Sequence, residues 1–578
     1  MRFKLRIIEK VPHILHEWWK MSLNFISCIS NDFIESILAF SFKWTEFFVE
    51  NMGYFRESIN LTSLWWILPV TVLFIITFPL YYSRRTQNRL KRLTSNIPGP
   101  LTFPILGNIP TFAGCDLIEF FQKLVKLVNK YGSVVRFWMG DKLYVVITDS
   151  ESIEKIFINK SLFKKNSSVS QMANGNGAVP DDDKWKIHRK IISSTFNSNV
   201  LEQFMENFIK NSFLLTENLK PIADERVTDI YSYFCSCALD IICETTMGTN
   251  VNAQMEDDPE YKTKLLQAIE TLGETFKKPW MLNDWMHSRK QDFEKEREFA
   301  MKHLHRFVNK VIDDKLASKR NGVRKKDGSR EQVEYVQWVR GRELSLLDLL
   351  IRDEQMKVDE IRDELSSLIV AGTKVIALTC SYVLSLLGVH QNIQDKVLEE
   401  QERIFEPDMG RPPTTSDVNA MKYLEQVLKE TLRLYPPVPF LFRNIEEDMH
   451  LENGFTLPRG SYAVIFNFMT HRNPEYYPDP ECFDPDRFSM DCPTVNRPYS
   501  YIPFGGGRRI CVAYRYGMLE VKTLLSTTLR KYKITETMGG IERLEHSLQA
   551  GVVLKPATGF NVKMAPRPIK FIPSIFRE

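Results

Sequence analysis

The pattern of apolar and polar positions predicts a mainly α-helical protein. Apolar residues recur with a helical period through long segments in the middle of the chain, and few segments alternate as strands do. The longest such pattern runs from Asp359 to about Gly388 and is apolar nearly all round in its second half. It predicts a buried central helix about 45 Å long. A second membrane span is the alternative, but Lys374 and several hydroxyl groups would be costly in lipid.

An apolar segment near the start of the chain is typical of a membrane anchor. No charged residue occurs from Ser58 to Ser83, and aromatic rings lie at both ends of the apolar stretch. Basic residues crowd the segment from Arg84 to Arg92, as expected of a cytoplasmic flank. This flank disfavours the alternative of a buried core helix. We therefore expect a single-pass protein with a lumenal N-terminus and a cytosolic main domain.

The expected anchor divides the chain into four parts. Residues 1–63 form an N-terminal extension of unclear role, residues 64–83 the transmembrane anchor, residues 84–100 a basic and proline-rich hinge, and residues 101–578 one large domain. The hinge is expected at Pro98-Gly99-Pro100, because proline lacks the amide donor and restricts the residue before it.

Composition narrows the class of protein. With 43% hydrophobic residues and 12% aromatic ones, the chain can bury a sizeable core, so disorder is not a serious interpretation. The net charge of +4 is small, and no basic face alternates with exposed aromatics, so nucleic acid is not expected as a partner. The nine cysteines lack disulfide-framework spacing, which is typical of a reduced, cytosolic domain.

The segment from Pro503 to Ala513 carries the most specific chemistry in the sequence. It is rich in glycine, then cationic, and leads through the lone Cys511 into a pattern that predicts a helix from Tyr514 to Lys522. A thiolate at the start of a helix is stabilised by backbone amides and the helix dipole. Glycines let the backbone approach a flat ligand, and an arginine can pair with its carboxylate. Taken singly, such a cysteine is usually a buried hydrophobe, and such a loop can be a phosphate cradle.

The pattern FxxGxRxCxG is present in this segment, with Ala513 in place of its last glycine. Its other fixed positions are Phe504, Gly507, Arg509 and Cys511. The segment resembles the haem-binding loop of the cytochrome P450 family, and HRNPEYYPDPECFDPDRF is typical of the family-four branch of fatty-acid and xenobiotic hydroxylases. The resemblance covers nearly all of the chain after the anchor. It implies the P450 fold, a triangular and mainly α-helical domain with small β-sheets, and Cys511 as the axial thiolate ligand of haem b.

Other motifs of the family occur in the expected order. The resemblance pairs Glu430 and Arg433 of an ExxR motif with Arg487, as a structural lock beneath the haem; taken alone, ExxR is a common surface pair. It also implies cations and a ring around the haem propionates. These cofactor-binding residues are Trp185 and Arg189 of a WxxxR motif, Arg443, and Arg509. His188, between the first two, is expected at the helix surface.

The central helix departs from the family pattern. In the family it carries AGxDTT or AGxETT, in which an acid and a threonine deliver protons to dioxygen. Here Thr373 is followed by Lys374 and Val375, so both relay groups are replaced. A valine forms no side-chain hydrogen bond, and a buried lysine brings the opposite charge. Ala371 replaces the glutamate that many family-four members link to haem, so we expect haem that is not covalently attached.

Three functions are compatible with these motifs. The leading one is a membrane-bound monooxygenase of the endoplasmic reticulum that inserts one oxygen atom from dioxygen into a lipid-like, terpenoid or xenobiotic substrate. By resemblance, its electrons would come from NADPH through a P450 reductase, with cytochrome b5 as a second candidate donor. Because the relay is altered, two alternatives stay open. They are an isomerase or dehydratase that acts on a peroxide, and a non-catalytic haem protein that sequesters hydrophobic ligands.

Overall fold

The computed structural model describes residues 88–103, 106–159, 182–255, 259–273, 287–323, 345–353, 355–489 and 497–568. The expected N-terminal extension, the anchor at 64–83 and the first residues of the hinge lie outside these ranges. The chain is assigned to two units, and the described residues from Arg92 onward, except 287 and 288, belong to the second unit. The second unit contains the elements that position the candidate site.

Helices predominate in the described residues, as the periodicity predicts. In chain order they are α1 (Ile109–Phe112), α2 (Leu117–Tyr131), α3 (Ser150–Ile158), α4 (Asp182–Thr195), α5 (Ser198–Leu219), α6 (Tyr231–Met247), α7 (Pro259–Gly273), α8 (His287–Val323), α9 (Leu346–Asp353), α10 (Val358–Val389), α11 (Gln391–Phe405), α12 (Thr415–Ala420), α13 (Lys422–Leu434), α14 (Asn467–Thr470), α15 (Tyr514–Lys531) and α16 (Gly540–His546).

The strands are short and form small sheets. They are β1 (Val134–Met139), β2 (Lys142–Ile147), β3 (Thr228–Asp229), β4 (Phe440–Asn444), β5 (Met449–His450), β6 (Thr456–Leu457), β7 (Tyr462–Phe466), β8 (Tyr532–Thr537), β9 (Leu548–Ala550), β10 (Leu554–Pro556) and β11 (Asn561–Pro566). One sheet has the order β1-β2-β7-β4 and another the order β3-β11-β8, while β5–β6 and β9–β10 pair by themselves.

The longest apolar pattern forms the central helix α10, as predicted. Its N-terminus is capped by the Glu360 carboxylate, which accepts the Lys357 amide at 2.9 Å. Among the described residues, α10 alone is long and apolar enough to cross a membrane, but 72% of its apolar window is buried inside the protein. It packs against α6 so closely that a Cβ at Gly372 would lie 2.8 Å from the Ile242 side chain. This helix is therefore the core of the domain.

The four-stranded sheet brings an arginine from β4 into the interior. Strand β2 pairs in parallel with β7, so that Tyr144 lies opposite Tyr462. Strand β4 runs antiparallel to β7 and places Arg443 opposite Ala463. Because β7 is buried along four of its five residues, the neighbouring Arg443 is buried too, with 5% of its surface exposed. Burying a guanidinium is unfavourable unless an anion or hydrogen-bond acceptors compensate for its lost hydration.

Candidate active site

Cys511 is presented by a tight loop just before α15. The Gly505 amide donates to the Ile502 carbonyl at 3.0 Å, and the Cys511 amide donates to the Phe504 carbonyl at 3.0 Å. The half-buried Phe504 ring packs edge-on against Tyr514, the first residue of α15. These bonds fix the loop on both sides of the cysteine, whose side chain is exposed.

Glycine is required in this loop by the backbone itself. Gly507 has a φ of +64°, a left-handed conformation that favours glycine. A Cβ at this position would also lie 2.4 Å from the Phe157 carbonyl oxygen of α3. The FxxGxRxCxG pattern therefore reflects a close approach between α3 and the loop, as well as the chemistry of the cysteine.

The environment of Cys511 differs from that of most other cysteines. Burial raises the pKa of four thiols in the α6 and α10 core and keeps them protonated. They are Cys235, Cys237, Cys243 and Cys380. Among the described residues, only Cys482 and Cys511 are exposed, and Cys511 alone lies in the glycine loop at the start of a helix. It is therefore the thiol best placed to bind a metal.

Arginine side chains from separate elements converge beside this loop. The Arg509 guanidinium lies 3.7 Å from the centre of the Trp185 ring on α4. The buried Arg443 donates to the Phe442 carbonyl at 2.9 Å and lies over the Phe157 ring. Desolvation, together with the nearby positive charge of Arg509, lowers the pKa of Arg443 to about 10. This local excess of positive charge favours an anionic ligand.

Helix α4 contributes a third guanidinium and a buried histidine. Burial lowers the pKa of Arg189, and the charge of Cys511 opposes this shift, so the two side chains are electrostatic neighbours. The expectation for His188 was wrong, because this residue is buried rather than on the helix surface. Its Nδ1 lies 2.9 Å from Glu364 of α10. No sequence motif predicts this pairing, since the partners are 176 residues apart.

The three residues of the altered relay differ in how far α10 exposes them. We call the surface formed by Ala371 and Val375 the open face of α10. Ala371 is exposed and Val375 is half-buried, whereas Thr373 and Lys374 are buried with at most 1% of their surface exposed. Among the described residues the Thr373 hydroxyl has no hydrogen-bond partner. The Thr379 hydroxyl donates to the Val375 carbonyl at 2.7 Å. Of the three relay positions, only Val375 is more than 1% exposed.

The Lys374 ammonium contacts a residue that the motifs did not indicate. It lies 2.8 Å from the Glu270 carboxylate on α7. This contact spans 104 residues, and a single glutamate on a helical pattern carries no sequence signal for it. Burial would raise the pKa of Glu270, but Lys374 and Lys555 together lower it. Glu270 is therefore ionised in the ion pair.

The structure brings the ExxR pair and Arg487 together. Arg433 donates to both carboxylate oxygens of Glu430, at 2.7 and 2.8 Å, and both side chains are fully buried. Arg487 approaches the same carboxylate as an ion pair at 3.5 Å. Arg433 also donates to the carbonyls of His471 and Pro480, at 2.9 and 2.7 Å. The lock therefore ties α13 to the segment that leads toward the cysteine loop.

His471 connects the lock with the cysteine loop, a role that the motif analysis missed. Its Nδ1 donates to the Arg433 carbonyl at 3.2 Å, and its Nε2 accepts the Ile502 amide at 2.8 Å. The bond to the Ile502 amide requires the neutral ring, because a protonated Nε2 cannot accept. Burial, with the charges of Arg433 and Arg472, lowers the pKa of His471 to about 3. The histidine of the HRNP phrase thus holds the start of the cysteine loop.

These residues fit the chemistry of a haem. An exposed thiol can bind iron, and Arg443, Arg509 and Arg189 supply the positive charge that two propionates need. Trp185 fixes Arg509 from the side. The helical domain combines an exposed cysteine loop with a group of neighbouring arginines. This combination is typical of haem-thiolate proteins.

Comparison with known proteins identifies the family. The family model for cytochrome P450 matches residues 97–564, so the chain belongs to the cytochrome P450 family. Its curated relatives are family-four members. It is 30% identical to cytochrome P450 4g15 of Drosophila melanogaster over 87% of this chain and 96% of that one. It is 31% identical to human cytochrome P450 4V2 over 78% of this chain and 86% of that one. Membership implies a haem-iron cofactor and a monooxygenase activity.

Proposed function

We propose that the protein is a membrane-bound haem-thiolate monooxygenase with a hydrophobic substrate. One oxygen atom of O2 enters a substrate C–H bond to give an alcohol. The other atom leaves as water, with two protons and with two electrons that come from NADPH. The observation that carries this proposal is Cys511, an exposed thiol that backbone hydrogen bonds fix in the glycine loop just before α15.

Cys511 and its surroundings would hold the haem. The thiolate would bind the iron, while Arg443, Arg509, Arg189 and Trp185 would hold the propionates. When bound, the haem activates dioxygen, and a thiolate ligand favours cleavage of the O–O bond. Ala371 lies on the open face of α10 and carries only a methyl group, so no ester to haem can form there. We therefore propose haem b that is held without a covalent link.

Apolar elements adjoining the loop support a lipid-like, terpenoid or xenobiotic substrate. Leu441 of β4 would lie 3.6 Å from a Cβ at Gly505, so β4 directly borders the cysteine loop. Ala371 and Val375 add apolar surface from α10. A site with such walls and few polar groups binds substrates mainly through burial of apolar area.

Proton supply distinguishes this site from a P450 with an intact relay. Val375 carries no hydroxyl, Thr373 is buried, and the buried Lys374 ammonium is paired with Glu270. Water would then have to bring protons to the oxygen without a fixed side-chain donor. General acid–base groups are typically worth about 10²- to 10⁴-fold, so we propose slow or poorly coupled turnover.

The cellular setting is proposed from the sequence and the family. Residues 64–83 would anchor the protein in the endoplasmic reticulum membrane, with residues 1–63 on the lumenal side. The domain from residue 101 onward would face the cytosol, where a reductase and cytochrome b5 can reach it. Protease added outside sealed microsomes should digest this domain. Protection of the domain would reverse the proposed topology.

The activity is tested with full-length protein in membranes with a P450 reductase. A panel of fatty acids, terpenoids and aromatic xenobiotics is offered, and NADPH, product and hydrogen peroxide are measured together. The proposal predicts NADPH-dependent hydroxylated product, with much of the NADPH recovered as peroxide. If no substrate is oxidised with NADPH but a lipid hydroperoxide is consumed without it, the protein is an isomerase or dehydratase instead.

A further inference from the structure

Lys374 is buried against Glu270 of α7. Only 1% of it is exposed, and its ammonium lies 2.8 Å from a Glu270 carboxylate oxygen and 3.3 Å from the Glu270 carbonyl oxygen. An ammonium in the interior costs several kcal/mol unless a carboxylate and hydrogen bonds compensate for its lost hydration. The side chain therefore connects α10 with α7 in the folded protein.

Glu270 joins more than these two helices. Lys555 of β10 contacts its other carboxylate oxygen, and the Tyr231 hydroxyl of α6 lies 3.3 Å from the oxygen that Lys374 contacts. The carboxylate, which is about one-third exposed, is thus shared by α6, α7, α10 and β10. An acid in place of either lysine would put a second negative charge beside the Glu270 carboxylate.

The same elements are expected to shape the substrate pocket. Strand β10 pairs with β9, and Ala550 of β9 lies opposite Leu554. Helix α7 packs against α10, where Leu265 and Ile269 are buried. On α10, Ala371 is exposed and Val375 is half-buried, whereas Lys374, three residues after Ala371, is buried against Glu270. The ion cluster therefore closes off the Lys374 side chain beside the surface that would meet the substrate.

We propose that Lys374 is a positioning residue that holds α7 and the β9–β10 hairpin against α10 through Glu270, and that it takes no part in proton delivery. The inference deepens the proposed monooxygenase function, on which it rests. In this proposal Lys374 helps to determine the shape of the substrate pocket and does not act in the proton relay. The Lys374 ammonium is ion-paired with Glu270. Loss of its proton would therefore remove the positive charge that α10 places beside that carboxylate.

Hydrogen exchange of the holoprotein in detergent tests this assignment without any substrate. Lys374→Met and Glu270→Gln should each speed amide exchange in α7 by about tenfold, less than for a fully buried pair because Glu270 is partly exposed. Glu270→Gln also weakens the contact with Lys555, so the double variant should exchange no faster than Glu270→Gln alone, in which the Lys374–Glu270 contact is already lost. Lys264→Met is the matched control. It removes an exposed pair with Glu260 at 2.5 Å on the same helix and should leave exchange unchanged.

A conservative variant separates positioning from proton delivery. Lys374→Arg keeps the charge and can pair with Glu270, but a guanidinium does not release a proton at neutral pH. Protected α7 amides and an unchanged ratio of product to NADPH in this variant would support the proposal. A fall in that ratio with α7 still protected would overturn it, because Lys374 would then act in proton delivery.

Two further results would also overturn the proposal. One is amide exchange in α7 that is no faster in Lys374→Met than in the Lys264→Met control. The other is a double variant whose effect is the product of the two single effects. If Lys374→Met does not fold, Lys555→Met replaces it and should speed exchange in residues 548–556, with normal exchange there counting against the cluster. All exchange readouts stay informative even if no substrate is ever oxidised.

Discussion

The Arg509 guanidinium lies 3.7 Å from the centre of the Trp185 ring, which joins the cysteine loop to α4 by a cation–π contact. The two residues are 324 positions apart in the chain. A ring can fix the direction of a guanidinium while leaving its N–H donors available for a ligand. This contact is therefore suited to hold a cation ready for a propionate.

Loss of Arg509 should weaken haem retention. Arg509→Leu is expected to speed haem transfer to apomyoglobin by about tenfold, because hydrogen bonds to a charged group contribute about 1.5–3 kcal/mol. Trp185→Leu should have a smaller effect, since the three guanidinium groups and their charge remain. Arg508→Leu, at the exposed neighbouring position, is the control. Equal haem transfer from the Arg508 and Arg509 variants would exclude a propionate role for Arg509.

His471 should make the fold less stable in acid. Its ring is neutral in the folded protein, with a pKa of about 3, whereas an unfolded histidine has a pKa of about 6.5. Below about pH 6.5 the unfolded state binds a proton that the folded state excludes, so this contribution to stability falls as pH falls toward 3. Between pH 6.5 and 5 the loss is about 2 kcal/mol.

The comparison is between wild type and His471→Gln in urea titrations at pH 5, 6 and 7. The variant should be less stable at pH 7, because it loses the two bonds to Arg433 and Ile502. It should also lose part of the pH dependence that wild type shows. An identical slope of unfolding free energy against pH in both proteins would show that His471 is not the group responsible.

The sequence was informative wherever a local pattern determines the structure. The apolar period from Asp359 to Gly388 predicted α10 almost to its ends, and FxxGxRxCxG predicted a loop in which Gly507 has no room for a side chain. Local sequence patterns did not predict contacts between distant segments. The Lys374–Glu270 pair and the bond between His471 and Ile502 depend on how elements pack, and neither partner is marked by its neighbours in sequence.

The position of Lys374 changes what should restore a proton relay. The sequence suggested that an acid at 374 and a threonine at 375 would act together. In the structure, Lys374→Asp would place a second carboxylate against Glu270, and like charges at that distance repel. Val375→Thr alone should therefore raise product per NADPH severalfold, because it adds a hydroxyl to the open face of α10.

Adding Lys374→Asp to Val375→Thr is expected to remove the gain and to lower the yield of holoprotein. Both ratios are measured in one assay, as product and peroxide formed per NADPH consumed. Unchanged coupling in Val375→Thr, together with improved coupling in the double variant, would show that position 374 does reach the proton pathway.

The most direct test of the central claim is the absorbance spectrum of the reduced, carbon monoxide-bound protein. Wild type should show the red-shifted Soret band that gives the P450 family its name, because a cysteine thiolate binds the iron. Cys482→Ser, which changes the other exposed cysteine of the described residues, should keep the band, and Cys511→Ser should lose it. A Cys511→Ser protein that binds haem and keeps the band would contradict the assignment of Cys511 as the ligand.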